Sequence, residues 1–91
     1  MKDLLEVREQ INNIDNQIIE LWKERMALSL EVAKYKKENR LPILDEQREK
    51  ELLDRISSLA GEELEGYSRE LYFEIMRISR EYQERQIKGD L

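Results

Sequence analysis

One arginine stands where an amphipathic helix would otherwise carry an apolar side chain. Apolar or aromatic residues recur at spacings of three and four through the first third of the chain. Arg25 interrupts that series, which reads Leu4, Val7, Ile11, Ile14, Ile18, Leu21, Arg25, Leu28, Val32 and Tyr35. A guanidinium keeps its proton and is costly to desolvate unless an anion meets it. The pattern therefore predicts a buried anion beside Arg25, either a carboxylate of the protein or a bound ligand.

Lys36 lies on the same helical face as Arg25. The two residues are eleven apart, which at about 100° per residue puts them within about 20° of each other. Two cations on one partly buried face repel each other unless an anion lies between them. Alternatively, Lys36 belongs to an ordinary solvated run of lysines with Lys34 and Lys37. For Arg25, the alternative is an ion pair with a glutamate of the chain.

Other charged residues could join such a site. Arg8 is about 25 Å from Arg25 along one helix, so it could share a small ligand only with Arg25 of an antiparallel partner. Asp45, Arg48 and Glu49 lie together at a helix start, where Arg48 opposes the helix dipole. The alternatives are a surface arginine at position 8 and a surface ion pair between Arg48 and Glu49.

A stripe near the end of the chain begins apolar and ends with a hydroxyl and an amide, and it reads Tyr72, Met76, Ser79 and Gln83. We expect it on the shoulder of the core, although ordinary helix-surface polarity explains it equally well. Together with the cations and Glu49, these groups describe a pocket that suits a small, doubly anionic, hydroxylated ligand.

Composition limits the chemistry. The 91 residues predict one domain over positions 1–91, and they include no cysteine and no histidine. We therefore expect no metal, no cofactor and no reaction that needs a nucleophile or a proton relay. The net charge of −5, with both signs interspersed, argues against a nucleic-acid partner. Without a signal peptide or a membrane-spanning run, the sequence indicates a soluble, cytoplasmic protein.

Hydrophobic periodicity predicts three helices, over about residues 3–38, 45–60 and 67–87. Asp3 is the expected first N-cap, Asn39 and Pro42 the first break, and Gly61 the cap that ends the second helix. The residues expected to face inward on the second helix are Leu52, Leu53, Ile56 and Leu59. The main apolar stripe of the third helix is Leu71, Ile75, Ile78 and Tyr82.

The first helix is too long for a compact monomer. It should measure roughly 50 Å, whereas a globule of this length has a radius of gyration of only about 12–13 Å. Half of its apolar stripe would lie bare in water, and a second copy of the chain is the simplest cover. We expect an all-α fold in which the long helices pair in an intertwined homodimer.

The chain resembles the all-helical chorismate mutases of the AroQ class over essentially its whole length. The resemblance rests on LLEVREQINNIDNQIIELWKERMALSLEVAKYK, LPILDEQREKELL and YFEIMRISREYQ. The spaced positions within these segments are Arg8, Asp15, Arg25, Lys36, Asp45, Arg48, Glu49, Ser79 and Gln83. We align Ser79 and Gln83, rather than Arg80 and Glu84, with the site residues of the family's third helix.

This resemblance implies conversion of chorismate to prephenate, an intramolecular Claisen rearrangement in phenylalanine and tyrosine biosynthesis. It implies that Arg8 of the partner subunit, Arg25 and Arg48 grip the substrate carboxylates, supported by Ser79. Lys36 and Gln83 would face the ether oxygen. The remaining implied contacts are the ring hydroxyl acceptor Glu49, the neighbouring Asp45, and the apolar walls Val32, Leu52 and Met76.

Two other functions stay open from the sequence. One is isochorismate pyruvate-lyase activity, which resembles the mutase reaction and uses the same fold. The other is a noncatalytic helical dimer that regulates a partner enzyme, although a scaffold has no reason to bury Arg25. A fusion or complex with another aromatic-pathway enzyme is also consistent with the sequence.

Overall fold

Residues 3–89 fold into three α-helices, as the sequence predicts. The computed structural model describes residues 3–89, with α1 at Leu4–Glu38, α2 at Glu46–Ala60 and α3 at Glu65–Gly89. The prediction of an all-α fold with one very long helix and two shorter ones is confirmed. None of the helices within residues 3–89 is both long enough and apolar enough to cross a membrane.

Capping residues decide where the helices begin and end. The carboxylate of Asp3 accepts a hydrogen bond from the backbone N–H of Glu6 at 2.9 Å, and that of Asp45 accepts from Arg48 at 3.1 Å. Each aspartate thus precedes its helix as the N-cap, so α1 and α2 begin one residue later than predicted. Gly61 ends α2 with φ of 83°, a left-handed conformation that favours glycine.

The third helix is longer than predicted at both ends. It begins at Glu65 rather than at Tyr67 and ends at Gly89 rather than at Ile87. Its backbone is already helical before the first apolar residue of the stripe, because helical hydrogen bonding does not require an inward-facing side chain. Hydrophobic periodicity therefore locates the helix but not its ends.

The helices pack around α3, which contacts both α1 and α2. Ala33 of α1, Leu52 of α2 and Met76 of α3 form the buried apolar centre, and Ser29, Ser79 and Gln83 are the buried polar residues. The chain is elongated, with extents of 56 × 28 × 14 Å. Its radius of gyration is 16.6 Å, compared with about 12 Å for a compact chain of this length.

Only some of the residues predicted to face inward are buried in the single chain. Leu59 is 70% exposed rather than inward, and Leu71 and Ile78 on the main stripe of α3 are exposed as well. The stripe expected on the shoulder of the core is instead the buried one, since Met76, Ser79 and Gln83 all lie inside. This face of α3 packs on α1 and α2, which leaves the more apolar face of α3 only partly covered, with Ile75 and Tyr82 half-buried.

Candidate active site

A cleft opens between the C-terminal part of α1, the start of α2 and the C-terminal part of α3. Its volume is about 330 Å³. The residues that line it are Arg25, Leu28, Ser29, Val32, Lys36, Ile43, Asp45, Arg48, Glu49, Leu52, Met76, Ser79, Arg80 and Gln83. Every predicted site residue except Arg8 is in this set. The three helices thus bring together side chains that are up to 58 positions apart in the chain.

The side chain of Arg25 lines the cleft, and its recorded hydrogen bond is to a hydroxyl and not to a carboxylate. Its Nη1 donates a hydrogen bond to the hydroxyl of Ser79 at 3.0 Å. Its guanidinium carbon is 6.0 Å from the centre of the Tyr72 ring, within reach of a cation–π contact. Within residues 3–89 no glutamate or aspartate forms an ion pair with it, so the internal ion pair considered as an alternative is not found. The positive charge of Arg25 is half-buried, and none of the carboxylates in the described part of the chain balances it.

Lys36 differs from the lysines beside it in the sequence. Its ammonium donates a hydrogen bond to the backbone carbonyl of Ile43 at 2.7 Å. Lys34 and Lys37 are exposed, whereas Lys36 is half-buried and lines the cleft. The loop between α1 and α2 therefore holds this amine at the cleft wall, and two of its three protons remain free for another acceptor.

Asp45 and Arg48 contribute to the cleft in different ways. The Asp45 carboxylate is engaged with the backbone at the start of α2. The side chain of Arg48 is exposed at the cleft and has no hydrogen-bond acceptor within the part of the chain that is described. The expected alternative for Arg48, a surface pair with Glu49, does not form. Arg48 can therefore turn its planar, five-donor group towards an incoming anion.

Glu49 pairs instead with Arg80, a residue that the sequence analysis did not include in the site. Arg80 Nη1 lies 2.6 Å from Glu49 Oε1 and also contacts Oε2. Helical spacing could have found it, since Arg80 follows Met76 by four residues and precedes Gln83 by three. The alignment that assigns Ser79 and Gln83 to the site excludes Arg80, which lies between them on α3.

Gln83 is 7% exposed and lines the cleft. Its Oε1 is buried and has no hydrogen-bond partner within residues 3–89. A buried amide oxygen without a hydrogen-bond partner is costly, so this side chain has hydrogen-bonding capacity available to a ligand in the cleft. Glu84 is exposed and does not line the cleft, so the geometry favours Gln83 as the ligand-facing residue.

Arg8 lies on the N-terminal half of α1, outside the cleft of its own chain. Its side chain is exposed, and the apolar residues beside it on the stripe, Leu4 and Ile11, are 62% and 49% exposed. Arg8 thus lies next to an exposed apolar surface, and its contribution to a site of another copy stays a prediction.

The cleft carries more positive than negative charge. Its four cations are Arg25, Lys36, Arg48 and Arg80, against the carboxylates of Asp45 and Glu49. Both carboxylates already have partners, Asp45 at the helix start and Glu49 at Arg80. The arrangement suits a compact dianion with a hydroxyl, and it offers several hydrogen-bond donors at fixed positions.

Residues 7–84 match the model of the family described as chorismate mutase type II. A chorismate mutase of Methanocaldococcus jannaschii is 42% identical over 62 residues, which are 68% of this chain and 63% of that protein. A bifunctional chorismate mutase/prephenate dehydratase of Buchnera aphidicola is 46% identical over 57 residues, or 63% of this chain and 15% of that protein. The chain thus spans less than two thirds of either relative.

Among solved structures, a conserved hypothetical protein from Pyrococcus furiosus superposes with a TM-score of 0.75. It is 39% identical in sequence, and the alignment covers 88% of this chain and 93% of that one. The similarity therefore extends over most of the three-helix arrangement and not over α1 alone.

Proposed function

The chain belongs to the chorismate mutase type II family, and on that premise we propose that it converts chorismate to prephenate. The observation that carries this proposal is the half-buried Arg25, which faces a cleft lined by further cations and has no carboxylate partner within residues 3–89. Chorismate has two carboxylates and a ring hydroxyl, so its charge and polarity complement those of the cleft. The reaction belongs to phenylalanine and tyrosine biosynthesis.

The reaction requires no covalent bond between the protein and the substrate. One C–O bond breaks while one C–C bond forms within the same molecule, with no nucleophile and no net proton transfer. The protein must hold the enolpyruvyl arm over the ring in the reactive geometry. It must also direct fixed donors at the ether oxygen, which gains negative charge in the transition state. A chain without histidine and cysteine can meet both requirements.

Some of the cations hold the substrate in the reactive geometry, and one stabilises the charge on the ether oxygen. Arg25 and Arg48 grip the carboxylates with Arg8 of the partner subunit, because the planar guanidinium fixes orientation as well as charge. The hydroxyl of Ser79 holds Arg25 in position. Lys36 supplies the donor for the ether oxygen, since its contact with the Ile43 carbonyl leaves further N–H groups available.

The remaining groups complete the pocket. Gln83 donates its amide N–H to the same ether oxygen. Glu49 accepts a hydrogen bond from the ring hydroxyl, with Asp45 beside it at the start of α2. Val32, Leu52 and Met76 form the apolar walls that limit the access of water and strengthen these electrostatic contacts.

The same proposal requires a homodimer. Arg8 cannot reach the cleft of its own chain, and the apolar stripe around it is uncovered. A partner whose long helix runs antiparallel would cover the stripe and bring its own Arg8 to the cleft. Each of the two sites would then contain residues from both copies.

Two further predictions from the sequence stay proposals. Relatives named as bifunctional chorismate mutase/prephenate dehydratases occur in Buchnera aphidicola and Escherichia coli, which supports a fusion or complex with another aromatic-pathway enzyme. A cytoplasmic location follows from the same biosynthetic role.

The purified chain incubated with chorismate tests the function directly. Rearrangement removes the conjugated ring diene, so chorismate loss can be followed by ultraviolet absorbance and the product identified by NMR. We expect prephenate as the product, with turnover nearly abolished in Arg25→Gln and retained in Arg77→Gln, whose arginine pairs with Glu74 and Glu81 outside the cleft. No turnover of chorismate, with release of pyruvate from isochorismate, would instead assign the lyase reaction.

A further inference from the structure

The Arg80–Glu49 ion pair is the most shielded one within residues 3–89. The side chains of Arg80 and Glu49 are 26% and 24% exposed. In every other ion pair of that range both side chains are at least 43% exposed. Exposed pairs contribute little, whereas removing one member of a shielded pair leaves an unbalanced charge. Among these pairs, this is therefore the one whose loss should leave an unbalanced charge in the cleft.

No other cation of the cleft balances Glu49. Arg25 donates to Ser79, Lys36 donates to the Ile43 carbonyl, and the side chain of Arg48 has no acceptor in the described part of the chain. The carboxylate of Glu49 therefore depends on Arg80 alone for its countercharge within residues 3–89. Without Arg80, the cleft would present an unbalanced carboxylate to any anionic ligand.

We propose that Arg80 is a positioning residue that neutralises and orients Glu49, so that a carboxylate can accept a ring hydroxyl beside a bound dianion. This inference rests on the proposed function, in which Glu49 receives that hydroxyl. A hydroxyl donates a stronger hydrogen bond to an ionised carboxylate than to a neutral amide oxygen. A bare carboxylate would also repel the substrate carboxylates. Arg80 removes the repulsion and leaves lone pairs on Glu49 free to accept.

The position of Arg80 also links acceptor and donor. It extends from α3 to α2 and lies three residues before Gln83 on the same helix. The contact therefore fixes the Glu49 carboxylate relative to the Gln83 amide, which the proposed mechanism directs at the ether oxygen. Arg80 acts through Glu49 and is not assigned a contact with the substrate.

The test is a double-mutant cycle with Arg80→Met, Glu49→Gln and the combined variant. Arg77→Met is the matched control, because it removes an arginine of the same helix that pairs outside the cleft. Turnover of chorismate is measured as separate KM and kcat values. Binding of a stable bicyclic ether dicarboxylate, which mimics the reacting geometry and carries the ring hydroxyl, is measured by calorimetry. Circular dichroism verifies that each variant is helical.

We expect Arg80→Met to raise KM and the probe's Kd by on the order of tenfold or more, as repulsion between nearby charges predicts, with kcat falling by less. In the Glu49→Gln background the same substitution should change both values by less than about threefold, since no carboxylate is left to balance. Equal losses in both backgrounds would show that Arg80 contacts the ligand itself and would overturn the proposal. A lower Tm with unchanged KM and Kd would reduce Arg80 to a structural role, which also overturns it.

The two proposals can fail separately. Turnover by the unsubstituted chain tests the mutase activity, whereas the binding cycle reports on Arg80 and Glu49 whether or not the bound molecule reacts. A chain that does not convert chorismate but shows the expected coupling in binding would refute the reaction and support the role of Arg80.

Discussion

The exposed surface of the chain predicts how strongly two copies associate. A compact monomer of 11.0 kDa should expose about 5,600 Å², yet the chain exposes 7725 Å². The excess is about 2,100 Å² per copy. If a partner covered it, the interface would bury about 4,200 Å² in total, which lies in the range of obligate dimers. We therefore expect a dimer at micromolar concentration.

Ile18→Lys tests this expectation on the stripe itself. Ile18 is 55% exposed in the single chain, and burying an isoleucine contributes roughly 1.5–3 kcal/mol. Association can bury only that exposed part of Ile18, and a symmetric dimer contains the substitution twice. The lost burial should therefore weaken association by roughly 2–3 kcal/mol, or about 10- to 300-fold in Kd. Burying the new ammonium would add to this loss.

Asn16→Lys is the matched control, because it introduces the same side chain about 160° away around α1. Sedimentation equilibrium over a range of concentrations gives the dimer Kd of each variant, and thermal unfolding should shift with concentration only while a dimer exists. Equal Kd values for the two variants would refute the assignment of the stripe as the interface. A folded, active monomer of the unsubstituted chain would refute the dimer as well as the shared site.

Three further predictions concern the cleft. Arg8→Ala and Arg25→Ala should each nearly abolish turnover, and mixing the two variants should restore it because one of the two sites then has both arginines; confirmed heterodimers without activity would exclude Arg8 from the shared site. Lys36→Ala should lower kcat more than it raises KM, by roughly a few hundredfold for one lost transition-state donor; a variant within threefold of the unsubstituted protein would leave Lys36 as a surface lysine. Gln83→Glu should be poor at neutral pH and recover as the pH falls, because a carboxylate repels the developing charge whereas a protonated acid can donate. Glu84→Gln should be nearly silent, and the opposite result in these two variants would move the assignment by one residue.

Features that depend on neighbouring residues could be predicted from the sequence. Three-four spacing located α1, and the aspartates at positions 3 and 45 marked where α1 and α2 begin. The same spacing singled out Arg25, because a permanent charge among apolar residues stands out without any knowledge of its contacts. The composition, with no histidine or cysteine, also limited the reaction to one that needs neither.

Contacts between helices could not be predicted in this way. Periodicity shows which residues share a face of one helix, but the partner of that face depends on how the helices rotate and cross. The exposed Leu71 and the buried Met76 show the consequence, since both belong to regular stripes and only the packing of α3 decides which is covered. The pairing of Glu49 with Arg80 instead of Arg48 has the same origin. It joins residues 31 positions apart, and such a contact exists only after the chain has folded.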